Sequence, residues 1–81
     1  MFFTYVLKSL KDGKLYIGFS EDLEERTRAH NNGLVKATKT RRPLKLVYYE
    51  ACEERSDALN REKQLKTGFG RAYLKRRLSN I

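Results

Sequence analysis

The chain predicts an α+β fold, a small three-stranded sheet flanked by three helices. Three observations carry that prediction. Two runs rich in aromatic and β-branched residues, 2–9 and 14–19, flank Lys11-Asp12-Gly13-Lys14, and Asp-Gly between such runs is a strong hairpin signal. A third run of the same kind, Leu46-Val47-Tyr48-Tyr49-Glu50-Ala51, follows in mid-chain. Around it lie three segments with helix caps, stops or helical apolar spacing. A length of 81 residues predicts a single domain over 1–81, with a core small enough that few side chains can be diverted from packing to function.

In the hairpin, Tyr5 sits within Phe2-Phe3-Thr4-Tyr5-Val6-Leu7, and Tyr16 opens Tyr16-Ile17-Gly18-Phe19. If Asp12-Gly13 is a two-residue loop, Leu7 opposes Gly18, Ser9 opposes Tyr16, and Tyr5, Leu7, Ser9, Tyr16 and Gly18 share one face. A four- or six-residue loop keeps that parity and brings the tyrosines closer, whereas an odd loop would part them. The same-face reading is favoured. Gly18 weakens a strand, and its use there suggests close approach by another group.

Ser20 can cap the first helix, with Glu21, Asp22 and Glu24 at the positive end of its dipole. Asn31-Asn32-Gly33 is a good stop. Leu23 is its one large apolar residue; Thr27 and His30 share that face, with Arg26 beside them. Such a face cannot be ordinary core. Residues 35–45, with Lys36, Lys39, Arg41, Arg42, Pro43 and Lys45, read as a positively charged loop with little to bury. Ser56 or Asp57 can cap a second helix running to about Thr67, with Gly68 and Gly70 ending it. A last helix, about 71–80, places Leu74, Leu78 and Ile81 on one face and Arg71, Lys75, Arg76 and Arg77 around the rest.

The charge is one-sided. Residues 1–35 hold five Lys/Arg and five Asp/Glu, while residues 36–81 hold thirteen and five, the whole excess of eight. That balance favours a polyanion such as nucleic acid. No helix combines a basic face with large apolar anchors, so a membrane surface is disfavoured. No apolar stretch approaches the roughly 18 residues of a membrane span, and no signal peptide is evident. The single cysteine, Cys52, allows no internal disulfide and reads as a packed thiol, which suits a cytoplasmic setting.

Glu62 is the sharpest anomaly. Ala58, Leu59, Leu65 and Phe69 define an apolar stripe on the second helix, and Glu62 falls in the middle of its arc. A carboxylate there is costly unless paired or holding a metal. It either forms a salt bridge, to Arg26 or a neighbouring lysine, or ligates Mg²⁺, which often takes just one or two protein carboxylates. Arg26 can grip two phosphate oxygens at once or pair with Glu62. His30 can donate a proton, orient water or serve as a hydrogen-bonded structural residue. Tyr5 and Tyr16 are core or rim residues, as expected for Tyr48 and Tyr49, or working phenols; a phenol of pKa near 10 needs nearby cations or a metal to act as a base.

These residues resemble the GIY-YIG endonuclease domain, in particular small stand-alone bacterial proteins made of that domain alone. The likeness covers nearly the whole chain. Tyr16-Ile17-Gly18 is literal; Phe3-Thr4-Tyr5 keeps only the tyrosine of the other half; the segment 22–31 is similar to the family's helix with its arginine and histidine; the segment 58–66 is similar to the one bearing its metal-binding glutamate. The resemblance implies a three-stranded antiparallel sheet with helices around it and hydrolysis of DNA phosphodiesters with one divalent metal, Mg²⁺ or Mn²⁺. It implies that Tyr5 activates water, Tyr16 assists or positions the phosphate, Arg26 stabilises the transition state and Glu62 holds the metal, with His30 in the same centre. The Gly and Ile of the family motif are replaced by Phe3 and Thr4, which should alter packing more than chemistry. Asn80 is the one candidate for an asparagine that many larger relatives carry. No separate DNA-binding domain is evident, so Arg41, Arg42, Lys45, Lys66, Arg71, Lys75 and Arg76 are expected to contact phosphates with little sequence preference.

The leading expectation is thus a structure- or damage-tolerant DNA endonuclease using no small-molecule cofactor. The rival is a non-catalytic nucleic-acid-binding module that keeps the fold. A third reading, an accessory protein of another complex, has no residue that speaks for it.

Overall fold

The computed structural model of the chain describes residues 1–78. Its elements are β1 (Phe2–Ser9), β2 (Leu15–Ser20), α1 (Leu23–Asn31), a single 3-10 turn (Lys39–Arg41), β3 (Leu44–Cys52), α2 (Arg55–Leu65) and α3 (Gly68–Arg77). The strands form one antiparallel sheet in the order β2-β1-β3. The architecture is therefore the α+β arrangement of three strands and three helices that the sequence predicts.

The hairpin pairs Tyr5 with Gly18 and Leu7 with Tyr16. Ser9 N–H donates to the Lys14 carbonyl at 2.9 Å and Gly13 N–H to the Ser9 carbonyl at 2.9 Å, so the loop is Leu10–Gly13 rather than Asp12-Gly13 alone. Gly13 takes the left-handed conformation that closes the turn, with φ of 74°. The Ser9 hydroxyl accepts from the Lys11 and Asp12 amides inside this loop. The longer loop preserves parity, so Tyr5, Leu7, Tyr16 and Gly18 share one face.

The sheet is covered on both sides. On one side lie Tyr5, Leu7 and Leu44, with Tyr16, Leu23 and Leu46 packed against them under α1. On the other, Val6 and Ile17 meet Leu65 of α2 and Leu74 of α3, ringed by Leu15, Val47, Tyr48, Tyr73 and Leu78. A bulge between the pairs Val6–Tyr48 and Leu7–Leu46 lets Val47 and Tyr48, neighbours in sequence, pack on the same side.

Several boundaries differ from expectation. The cap of α1 is Asp22, whose carboxylate accepts from Glu25 N–H at 3.1 Å. Ser20 instead closes a local turn with the Asp22 backbone. Neither Ser56 nor Asp57 caps α2, because the helix begins at Arg55 and Glu54 holds the cap position without a side-chain bond. The glycines do not end α2. Thr67 caps α3, accepting from Gly70 N–H at 3.2 Å, and α3 begins at Gly68. A Cβ at buried Gly70 would overlap the Gln64 carbonyl and the Leu65 backbone, so glycine is what lets α3 seat on the last turn of α2. Phe69 leaves the expected stripe and is 92% exposed. The basic loop is less bare than its charge suggests, since Val35 and Thr38 are buried in it, and β3 starts earlier, at Leu44. Asn80 and Ile81 lie outside the described residues.

Phe3 and Thr4 have packing roles. The Phe3 ring meets Tyr49 edge-on at 6.0 Å, and the Thr4 hydroxyl donates to the Ala58 carbonyl at 2.7 Å, tying β1 to α2.

Candidate active site

Tyr5 lies on the central strand and is 1% exposed. Its cross-strand partner is Gly18, where a Cβ would overlap the Tyr5 phenol. The close approach that Gly18 signals is thus the phenol of the facing tyrosine. Arg26 and His30, one helical turn apart on α1, converge on this phenol. Arg26 Nε donates to Tyr5 Oη at 3.3 Å, and His30 Nε2 lies 2.8 Å from the same oxygen. The other imidazole nitrogen, Nδ1, is 2.7 Å from Thr38 Oγ1. The Tyr16 ring stands edge-on to His30 at 5.0 Å and is 6.4 Å from the Tyr5 ring. Four of the sequence candidates, Tyr5, Tyr16, Arg26 and His30, therefore form one cluster between α1 and the sheet.

His30 is wholly buried, and burial, followed by the Arg26 charge, pushes its pKa down to about 4. It is a neutral imidazole at neutral pH. Burial raises the Tyr5 pKa; the Arg26 hydrogen bond and charge pull the other way, and the nearby Tyr16 and Glu62 add to the rise. The net direction is up, so Tyr5 rests as a phenol. The Tyr5 bond is also the main reason that the Arg26 pKa rises and its charge is held.

Glu62 comes from α2, in the opposite layer, and makes no hydrogen bond or ion pair with the four clustered residues; its charge is the smallest of the influences that raise the Tyr5 pKa. Its partner is Lys66, one turn on, at 3.3 Å, rather than Arg26; the Glu62 side chain remains 20% exposed. Among the described residues no group of three or more His, Cys, Asp or Glu gathers as a metal cage. A lone carboxylate with hard oxygens fits a cation that keeps most of its water, as Mg²⁺ does, and does not fit a structural zinc site.

β2 is an edge strand of the sheet. A groove of about 730 Å³ runs there, lined by Gly13, Lys14, Leu15, Tyr16, Ile17, Lys66, Arg71 and Leu74. Of the expected phosphate contacts, Lys66 and Arg71 line this groove. Lys75 and Arg76 are exposed on α3. Arg41 is committed elsewhere: its Nε pairs with Asp12 at 3.1 Å and its carbonyl accepts from the Ser9 hydroxyl. Arg42 donates to the Lys39 carbonyl at 2.8 Å, and Lys45 is exposed on β3. Sequence reasoning missed Thr38 and Lys14. A threonine in a charged loop carries no periodic signal, and Lys14 is one lysine among many until the groove places it beside Tyr16.

No described helix is long and apolar enough to cross a membrane. The model of the GIY-YIG catalytic domain family matches residues 1–78. A UPF0213 protein of Staphylococcus saprophyticus is 48% identical over 66 residues, covering 80% of this chain and 79% of that protein. A UPF0213 protein of Staphylococcus aureus is 47% identical over the same coverage of both chains. No solved structure matches the chain significantly. With the family model spanning nearly its full length, the chain belongs to the GIY-YIG family of nuclease-type catalytic domains.

Proposed function

We propose that the chain is a divalent-metal-dependent DNA endonuclease whose centre is the Tyr5–Tyr16–Arg26–His30 cluster, with Glu62 at its edge. The observation that carries this reading is the shared phenol oxygen: Arg26 and His30 both meet Tyr5 Oη, and Thr38 holds the far side of the imidazole. The Tyr5 ring packs on Leu7 and Leu44, but packing alone does not call for a buried phenol–imidazole–hydroxyl chain, whose polar groups each need a partner.

In the tautomer this reading assigns, the phenol hydrogen goes to His30 Nε2 while Oη accepts from Arg26 Nε–H, and His30 Nδ1–H donates to Thr38. That leaves phenol oxygen density to receive a proton from water. As water attacks phosphorus, its proton passes to Tyr5 Oη while the Tyr5 proton passes to His30 Nε2, so a free phenolate is never required. With its pKa at about 4, His30 is neutral but a weak acceptor in the resting protein, and it is the phosphodiester's negative charge that offsets the imidazolium formed beside Arg26. The P–O bond to the leaving oxygen breaks, and that oxygen takes a proton from solvent. The guanidinium edge of Arg26 away from Tyr5 suits two phosphate oxygens and their developing charge, and Tyr16 positions the phosphate. Glu62 would hold Mg²⁺ or Mn²⁺, which supplies further charge neutralisation at the phosphate. The lone cysteine suits work in the cytoplasm.

The rival is a module that binds nucleic acid without cutting it, and the residues that would favour it are Phe3 and Thr4, where the family motif is altered. Their contacts with Tyr49 and Ala58 are packing contacts and leave the phenol cluster intact. Incubating plasmid and branched DNA at low salt with Mg²⁺, Mn²⁺ or EDTA, beside Glu62→Ala, tests the reading. Wild type should cut only with the cation, and Glu62→Ala should bind but not cut. Binding without cutting by wild type on every substrate would leave the rival standing. Undiminished cutting by Glu62→Ala would remove Glu62 from the metal site.

A further inference from the structure

The groove along β2 gathers three cations that the phenol cluster does not use. Lys14 follows the hairpin turn, Lys66 is the C-cap of α2, and Arg71 lies in the first turn of α3. Three separate parts of the chain thus bring like charges to one concavity. Of the carboxylates nearby, Glu62 pairs with Lys66, and Asp12 accepts from the Lys14 backbone amide and pairs with Arg41. Gathered like charge is repulsive and favours an anion between the groups. The floor is apolar, from Leu15, Ile17 and Leu74, and one wall is Tyr16 itself.

We infer that this groove is a backbone subsite that takes the DNA phosphate next to the one undergoing attack. The inference deepens the nuclease reading and rests on it for the placing of the reacting phosphate beside Tyr16. A strand whose scissile phosphate sits between Tyr16 and Arg26 continues naturally along β2, where Lys14 and Arg71 meet its next phosphate and the apolar floor meets the sugar. Lys66 has a double part. It holds Glu62 in the unliganded protein and turns to the backbone phosphate once a divalent cation takes the carboxylate. Cation and DNA then favour each other's binding, because each frees a partner of the Glu62–Lys66 pair.

The experiment is equilibrium binding of a short labelled DNA duplex, and of its single strand, read by fluorescence anisotropy across a salt series with Ca²⁺ replacing Mg²⁺. Lys14→Gln and Arg71→Gln should each weaken binding several-fold. Each should also flatten the slope of log affinity against log salt by about 0.7–0.9, the loss of one phosphate contact. Lys36→Gln, on the exposed loop outside the groove, should change neither. If both groove variants keep wild-type affinity and slope, the subsite is overturned, whatever the enzyme cuts. If the slopes flatten but wild type never cuts, the subsite stands and the nuclease reading falls.

Discussion

The two sides of the sheet are buried to the same depth but differ in the polar groups they bury beside their apolar residues. Under α2 and α3, Val6, Ile17, Leu65 and Leu74 make an apolar contact set. Under α1, equally inaccessible positions hold a phenol, an imidazole and a threonine hydroxyl linked in a chain, with a guanidinium at its mouth. The difference shows how a chain of this size can keep a polar centre. Both sides carry hydrophobic burial, Leu7 and Leu44 under α1 as well as Val6 and Leu65 under α2 and α3, and the α1 side adds a linked polar chain to it. Burying those groups is tolerable because each finds a partner: Tyr5 with His30 and Arg26, His30 with Thr38.

This contrast can be broken from either side. Leu65→Ala, on the apolar side, should give the largest effect on stability, about 2–5 kcal/mol. Chemical denaturation would read it, and the cutting rate per folded molecule should stay near wild type. Arg26→Ala, on the polar side, should do the reverse. Its rate should fall about 10²–10³-fold, as for loss of one transition-state charge partner, while its unfolding midpoint stays close to wild type.

A smaller effect sharpens the contrast through pH. The folded pKa of His30, about 4, lies below its ordinary value of 6.5, so below 6.5 the unfolded chain takes up the proton first. The His30 contribution to stability is therefore complete above pH 6.5 and is lost as pH falls toward 4. Urea midpoints across that window should drop in wild type and in Leu65→Ala alike. In His30→Asn the part due to this residue should vanish.

Much of this contrast was legible before the structure. The shared face of Tyr5 and Tyr16 survived a misjudged loop because two- and four-residue loops have the same parity. The first helix betrayed its polar face by composition: with Leu23 as its one large apolar residue, it had to bury something else, and His30 and Arg26 are what it turns inward. Glu62 was visible as a carboxylate on an apolar stripe, and its resting partner is the local Lys66. The stripe's end was misread because Gly68-Phe69-Gly70 looks like a stop. Gly70 reflects a close backbone approach between two helices, which no single-helix pattern encodes. Thr38 had no signal at all, since its burial depends on the loop folding back onto α1. Nor does periodicity say that Tyr16 and Lys66, from β2 and the end of α2, line one groove.

The central claim is that the buried phenol is kept for chemistry rather than for packing. The direct test is Tyr5→Phe, which keeps the ring against Gly18 and removes only the oxygen shared by Arg26 and His30. Single-turnover cutting of DNA with Mg²⁺ and the unfolding midpoint would be measured on the same preparation. The account predicts a rate loss of about 10²–10⁴-fold, the usual scale for general-base catalysis, with DNA affinity retained and a stability loss of no more than about 1–3 kcal/mol, the cost of leaving the buried His30 Nε2 without its partner. Cutting at the wild-type rate by Tyr5→Phe, alongside a large fall in stability, would contradict it and return Tyr5 to the core.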